Sequence, residues 1–224
     1  QQLHESIISD LLFRLKEILA LEPNVYYLQS PIIIVGDIHG QLFDLFHIFS
    51  KSNDDFLNAT SEPTKLNNSY LFLGDYVDYG YYSIQTFVFL ALLKIKFPQQ
   101  IYLLRGKDEI ENVNSMYGLS EDCMKLYGHY GLWLLFNEAF NFLPIAAVID
   151  KKIFCVHSGI SPRINFIGQI SSYYRANVDY GSPIYDLFWS VPDNFTSDFI
   201  KDTRSPGYFF GKNATLSFLY NNGL

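Results

Sequence analysis

Apolar residues at positions 7, 8, 11, 12, 15, 18 and 19 repeat at helical spacing and predict a one-faced helix over 4–19, ended by Glu22-Pro23. The pattern then changes. Residues 32–35, 70–73 and 101–104 are short continuous apolar runs, which predict buried strands, the first as the centre of a covered sheet. Helical patterns fill 41–51 and 83–97 between them. The order is strand, helix, strand, helix, strand, an α/β arrangement. Two further helices are expected at 120–127 and 132–142. Residues 145–150 and 152–156 predict two strands of a hairpin about Asp150-Lys151. Residues 51–68 read as a polar surface loop, 163–185 as loop-rich, 198–206 as charged and irregular, and 214–220 as helical.

Composition narrows the class. The 224 residues suffice for one domain with a sizeable core, and 49% are hydrophobic. A net charge of −7 argues against nucleic acid and anionic membranes as partners. Two cysteines without a CxxC spacing suggest a reducing compartment, so a cytoplasmic or nuclear location is expected. No signal-peptide pattern and no apolar run of membrane-spanning length is visible.

The chemistry gathers behind the strands. The first is followed by Gly36-Asp37-Ile38-His39-Gly40, the second by GDYVDYG at 74–80, the third by RGKDE at 105–109. Open α/β sheets place their sites beyond the carboxyl ends of strands. A carboxylate and an imidazole two residues apart can grip one divalent cation. Asp75, Asp78, Asp108 and Glu109 bring further acids to the same edge. His157 ends the later strand beside Ser158-Gly159 and repeats the first placement. His47 and His129 fit a packing or surface role, Cys155 fits a buried inert thiol, and Trp189 is expected to pack near a cleft floor.

These stretches, with LPIAAVIDKKIFCVHSGISP at 143–162 and WSVPD at 189–193, resemble the phosphoprotein phosphatase family, the metal-dependent serine/threonine phosphatases related to types 1, 2A and calcineurin. The family order is GDxHG, GDxVDRG, RGNHE, HGGLSP and WSDP. The resemblance implies a metallophosphoesterase-type (calcineurin-like) β-sandwich flanked by helices, as a single domain over 1–224 that is incomplete at its C-terminal end. It implies divalent metals of the manganese, iron or zinc class. The first would be held by Asp37, His39 and Asp75; the second by Asp75, His157 and two residues this chain does not supply, one of them replaced by Lys107. It implies a phosphoprotein substrate and regulatory subunits as partners.

The departures fall on the machinery. The family's catalytic His is Asp108 here, paired with Asp78. One of two close carboxyl groups is expected to titrate high, and a protonated Asp can in principle donate to a leaving oxygen. The clamp arginine of GDxVDRG is Tyr79. Arg105 and Arg204 are carried over as phosphate-binding residues. Lys107 is expected to pair with Asp108, Asp78 or Asp75 and so exclude the second metal. The expectation is therefore a serine/threonine phosphatase-family protein with impaired catalysis. The rival is a pseudophosphatase that binds a phosphoprotein or a regulatory subunit.

Overall fold

The computed structural model describes residues 3–54, 64–116, 118–176 and 178–224, so part of the expected 51–68 loop, residues 55–63, lies outside the described residues. In chain order the elements are α1 (Glu5–Ala20), β1 (Val25–Leu28), β2 (Ile33–Val35), α2 (Leu42–Lys51), β3 (Tyr70–Phe72), α3 (Ser83–Lys96), β4 (Ile101–Leu103), α4 (Glu111–Asn114), α5 (Leu119–Tyr127) and α6 (Gly131–Phe140). They continue with β5 (Ala146–Ile149), β6 (Ile153–Val156), α7 (Ile167–Ser171), α8 (Pro183–Asp186), β7 (Val191–Pro192), β8 (Phe199–Lys201), β9 (Tyr208–Phe210) and α9 (Lys212–Asn222). Internal contacts divide them into two compact units, Gln1–Leu21 with Pro31–Phe142, and Glu22–Ser30 with Leu143–Leu224.

In the first unit β2, β3 and β4 form a parallel sheet in that order. The register pairs Val35 with Phe72 and Phe72 with Leu103. Each strand therefore releases its following loop at the same edge, and three acid-bearing loops become neighbours. Parallel pairing needs crossover helices, which α2 and α3 supply. The core is aromatic: Phe87 meets Phe140 edge-on at 4.8 Å between ring centroids, and both are fully buried with Leu71, Phe72 and Leu103. Each such side chain contributes roughly 1.5–3 kcal/mol by leaving water. α1 packs on α3 and α6 through Ile8, Leu11, Leu12, Leu15 and Leu19, the face its spacing predicts. His4 caps α1 by accepting the Ser6 N–H at its Nδ1, 3.3 Å away.

β2 corrects one expectation. Among the described residues it pairs only with β3 and so lies at the sheet's edge, with Ile34 44% exposed. Apolar runs cannot by themselves distinguish an edge from a centre.

In the second unit β1 pairs parallel to β5, and β5 turns at Asp150-Lys151 into antiparallel β6, the expected hairpin. Asp150 and Lys151 both take positive φ, 53° and 57°, as a two-residue hairpin turn demands. A second small sheet runs β7-β9-β8. The irregular reading of 198–206 is thus corrected, because β8 pairs with β9 from Phe199 opposite Phe210 to Lys201 opposite Tyr208. Pairing to a later partner, not local pattern, makes that strand. β1 carries Val-Tyr-Tyr-Leu, β-prone residues whose signal the neighbouring Glu22-Pro23 break obscures.

Candidate functional site

The three loops are knitted together by backbone. Ile38 and His39 N–H groups donate to Asp75 O at 3.0 and 2.9 Å, and Gly40 N donates to Tyr76 O at 2.9 Å. The approach is close enough that a Cβ on Gly74, at φ 106°, would overlap the Gly106 backbone. Four side chains of the cluster sit on left-handed backbone: His39, Asp75, Asp78 and Tyr79, at φ 46°, 56°, 63° and 56°. Each such conformation costs on the order of 1–3 kcal/mol, and such strain collects at functional sites.

Glu109 underlies the arrangement. It is fully buried, and its carboxyl accepts the N–H groups of Asp75 at 2.8 Å, Tyr76 at 2.8 Å and Gly106 at 2.9 Å. Burial and the charges of Asp75 and Asp108 raise its pKa, against the pull of the backbone donors. Sequence reading saw Glu109 only as one more acid in RGKDE; its work is to fix the backbone carrying Asp75.

Asp75 and Asp108 are both fully buried. The Lys107 ammonium donates to Asp75 Oδ2 and, at 3.1 Å, to Asp108 Oδ1. Asp75 Oδ1 accepts the Asp108 N–H at 3.1 Å. Burial works against the Lys107 charge, but the hydrogen bond to Asp75 and the charges of Asp75 and Asp108 outweigh it and hold the ammonium above the usual lysine range. The expected pairing of Lys107 is therefore present with Asp75 and Asp108.

His39 lies among acids. Its Nδ1 is 3.0 Å from Asp108 Oδ2 and 3.4 Å from Val77 O, and its Nε2 is 3.5 Å from Asp37 Oδ2 and 3.8 Å from Asp75 Oδ2. The Asp108 contact is electrostatic, for Asp108 Oδ2 is buried and has no aligned hydrogen bond. The Asp108 carboxylate, then that of Asp37, push His39 up to about 10, so the ring is charged at neutral pH. A metal bound by that ring would have to displace its proton. Tyr79 stands edge-on to His39 with ring centroids 5.0 Å apart, and the Lys107 ammonium lies 5.8 Å from the Tyr79 centroid.

Asp78, the partner expected for Asp108, is fully buried, and its Oδ1 accepts the Leu119 N–H at 2.8 Å, the first amide of α5. Its Oδ2 is buried without a hydrogen bond. Burial, then the charge of Asp108 among others, outweighs the Leu119 hydrogen bond and raises Asp78 to about 7.

Arg105, carried over from the resemblance as a phosphate-binding residue, points inward. It is 3% exposed, and its guanidinium donates to Glu109 O at 3.2 and 3.1 Å and to Asn141 Oδ1 at 2.9 Å. These contacts lock the chain end of the third loop. In the second unit, Arg204 lies on an exposed turn, 3.7 Å from Asp202, and His157 stands half-buried at the end of β6. Trp189 stacks on Tyr185 with centroids 6.2 Å apart. Cys123 and Cys155 are buried, and burial raises both thiols, Cys123 to about 12.

Residues 30–224 match the description of the calcineurin-like phosphoesterases. The chain belongs to this family. Its sequence is similar to that of a protein phosphatase 2A catalytic subunit of Dictyostelium discoideum, 40% identical over 221 residues, which cover 98% of this chain and 68% of that protein. Its fold is similar to that of a Saccharomyces cerevisiae protein serine/threonine phosphatase described as similar to human phosphatase PP5. The TM-score is 0.87 at 26% identity, over 100% of this chain and 70% of that one. A cold-active protein-tyrosine phosphatase from Shewanella shares the fold, at TM-score 0.56 and 15% identity, over 90% of this chain and 76% of that one. The chain is thus a serine/threonine protein phosphatase-family member with the α/β calcineurin-like fold.

Members of a metallophosphoesterase family imply divalent metals, and within the first unit a donor group fits such an ion. Donor atoms of His39, Asp75 and Asp108 lie within 4.8 Å of one another, a mixture of imidazole nitrogen and carboxylate oxygen suited to such ions. Lys107 does not fit: an ammonium has no lone pair to give, and it holds an oxygen of each acid.

Proposed function

We propose that this chain is a serine/threonine phosphatase-family protein with impaired turnover, which holds at most one divalent ion at the cluster of His39 and Asp75 and engages phosphoproteins. When bound, such an ion would polarise a phosphoryl oxygen and acidify a water. The reading is carried by one observation. Asp108, where the resemblance expects a catalytic histidine, is fully buried and already engaged by Lys107. A leaving alkoxide needs a proton donor within hydrogen-bond reach. Asp108 Oδ1 accepts from the Lys107 ammonium and Oδ2 faces the His39 ring, so the carboxyl is engaged within the cluster. Loss of a general acid costs about a hundred- to ten-thousand-fold in rate.

The phosphate clamp is reduced in step. Tyr79 is 65% exposed and supplies a neutral hydroxyl, not a charged fork. Arg105 is engaged inside. An exposed aromatic ring beside the acids also favours the second reading, a pseudophosphatase that binds a phosphoprotein or a regulatory subunit without turnover.

Hydrolysis of a phosphoserine peptide with added manganese tests this, with the chain compared against Asp75→Asn. Equal, near-background rates are expected. Turnover that falls at least a hundredfold in Asp75→Asn would mean a working site and would overturn the reading.

A further inference from the structure

We propose that the Lys107 ammonium is the resident cation of the His39–Asp75–Asp108 cluster, and that a divalent ion gains those carboxylates only by displacing it. The inference rests on the reading above, that the site takes no more than one ion.

The oxygen accounting carries it. Two fully buried aspartates present four oxygens. Asp75 Oδ1 takes the Asp108 N–H, while Asp75 Oδ2 and Asp108 Oδ1 take the same ammonium. Asp108 Oδ2, buried and without a hydrogen bond, faces the His39 ring at 3.0 Å. A buried carboxylate that stays ionised needs compensating charge, and the Lys107 ammonium supplies it in contact with both acids. This is no exposed ion pair held in solvent: both acids have zero side-chain exposure, and that of Lys107 is 25%. The same side chains cluster as metal donors would. The ammonium thus sits on the atoms that donate to a divalent ion, and it cannot itself act as a ligand.

Tyr79 completes the device as a positioning residue. Left-handed backbone brings its ring to 5.8 Å from the ammonium, where the aromatic face favours a cation. An arginine at that position would place a second positive charge beside Lys107. Tyrosine and lysine therefore suit one another, and the two departures from the family pattern form one structural unit.

Manganese binding to the intact chain, followed by calorimetry and by electron paramagnetic resonance of free ion, tests the proposal. The unsubstituted chain is expected to bind at most one manganese. Lys107→Met and Lys107→Asn are expected to bind one more, or to bind at least tenfold tighter. Lys107→Arg, which keeps the charge, is expected to follow the unsubstituted chain. In chelator the Met variant should melt below the unsubstituted chain, and manganese should restore it. Lys107→Asn keeps a polar side chain should the Met variant not fold. Isotherms for Met and Asn that superimpose on the unsubstituted chain would overturn the proposal, as would an Arg variant that gains ions like Met. Two ions bound by the unsubstituted chain would instead defeat the reading on which it rests.

Discussion

At the scale of single residues, one loop carries much of the departure from the family motifs. Lys107 holds the oxygens of Asp75 and Asp108, and Asp108 stands where the resemblance expects an imidazole. These substitutions were legible, because a lysine and an aspartate inside RGKDE break the pattern visibly. Two roles were not. Glu109 fixes the backbone through three N–H acceptances, and Arg105 turns inward to Glu109 and Asn141. Sequence names a residue type but not its partners, and a buried acid looks like an exposed one. Asp78 gives a pH prediction. Its folded-state pKa of about 7 stands above the ordinary 3.8, so it favours folding below about pH 4, and that contribution is lost as pH rises to 7. Asp78→Asn keeps an acceptor for the Leu119 N–H and removes the titration. Its stability relative to the unsubstituted chain should rise between pH 4 and 8, by on the order of 2 kcal/mol or more, in thermal unfolding across that range. A constant difference would show that Asp78 titrates normally.

At the scale of elements, the parallel strands decide where the chemistry gathers. Aligned ends at Val35, Phe72 and Leu103 set three loops side by side. The strands and crossover helices were legible from their apolar runs and from the glycines that end two of the runs. β1 and β8 were less so, since their strand character comes from pairing with β5 and β9, distant in sequence. Gly74 is the joint on which the second and third loops meet. Gly74→Ala forces a side chain onto φ 106° and into the Gly106 backbone. It should cost more than about 1 kcal/mol in urea unfolding and abolish manganese binding. A variant as stable as its parent, with unchanged ion affinity, would show that the loops can separate freely.

At the scale of the whole molecule, the proposed reading separates family membership from catalytic competence. The fold matches a serine/threonine phosphatase at TM-score 0.87, while Tyr79, Lys107 and Asp108 depart from the family motifs. The packed sheet depends on apolar burial and the proposed impairment on three side chains, so the reading keeps the fold while lowering turnover. The most direct test restores those side chains together. Lys107→Asn with Asp108→His and Tyr79→Arg should raise phosphoserine-peptide turnover in manganese by about a hundredfold or more over the unsubstituted chain, the range set by regaining a general acid alone. Turnover left where it was, in a triple variant that folds and binds manganese, would contradict the account.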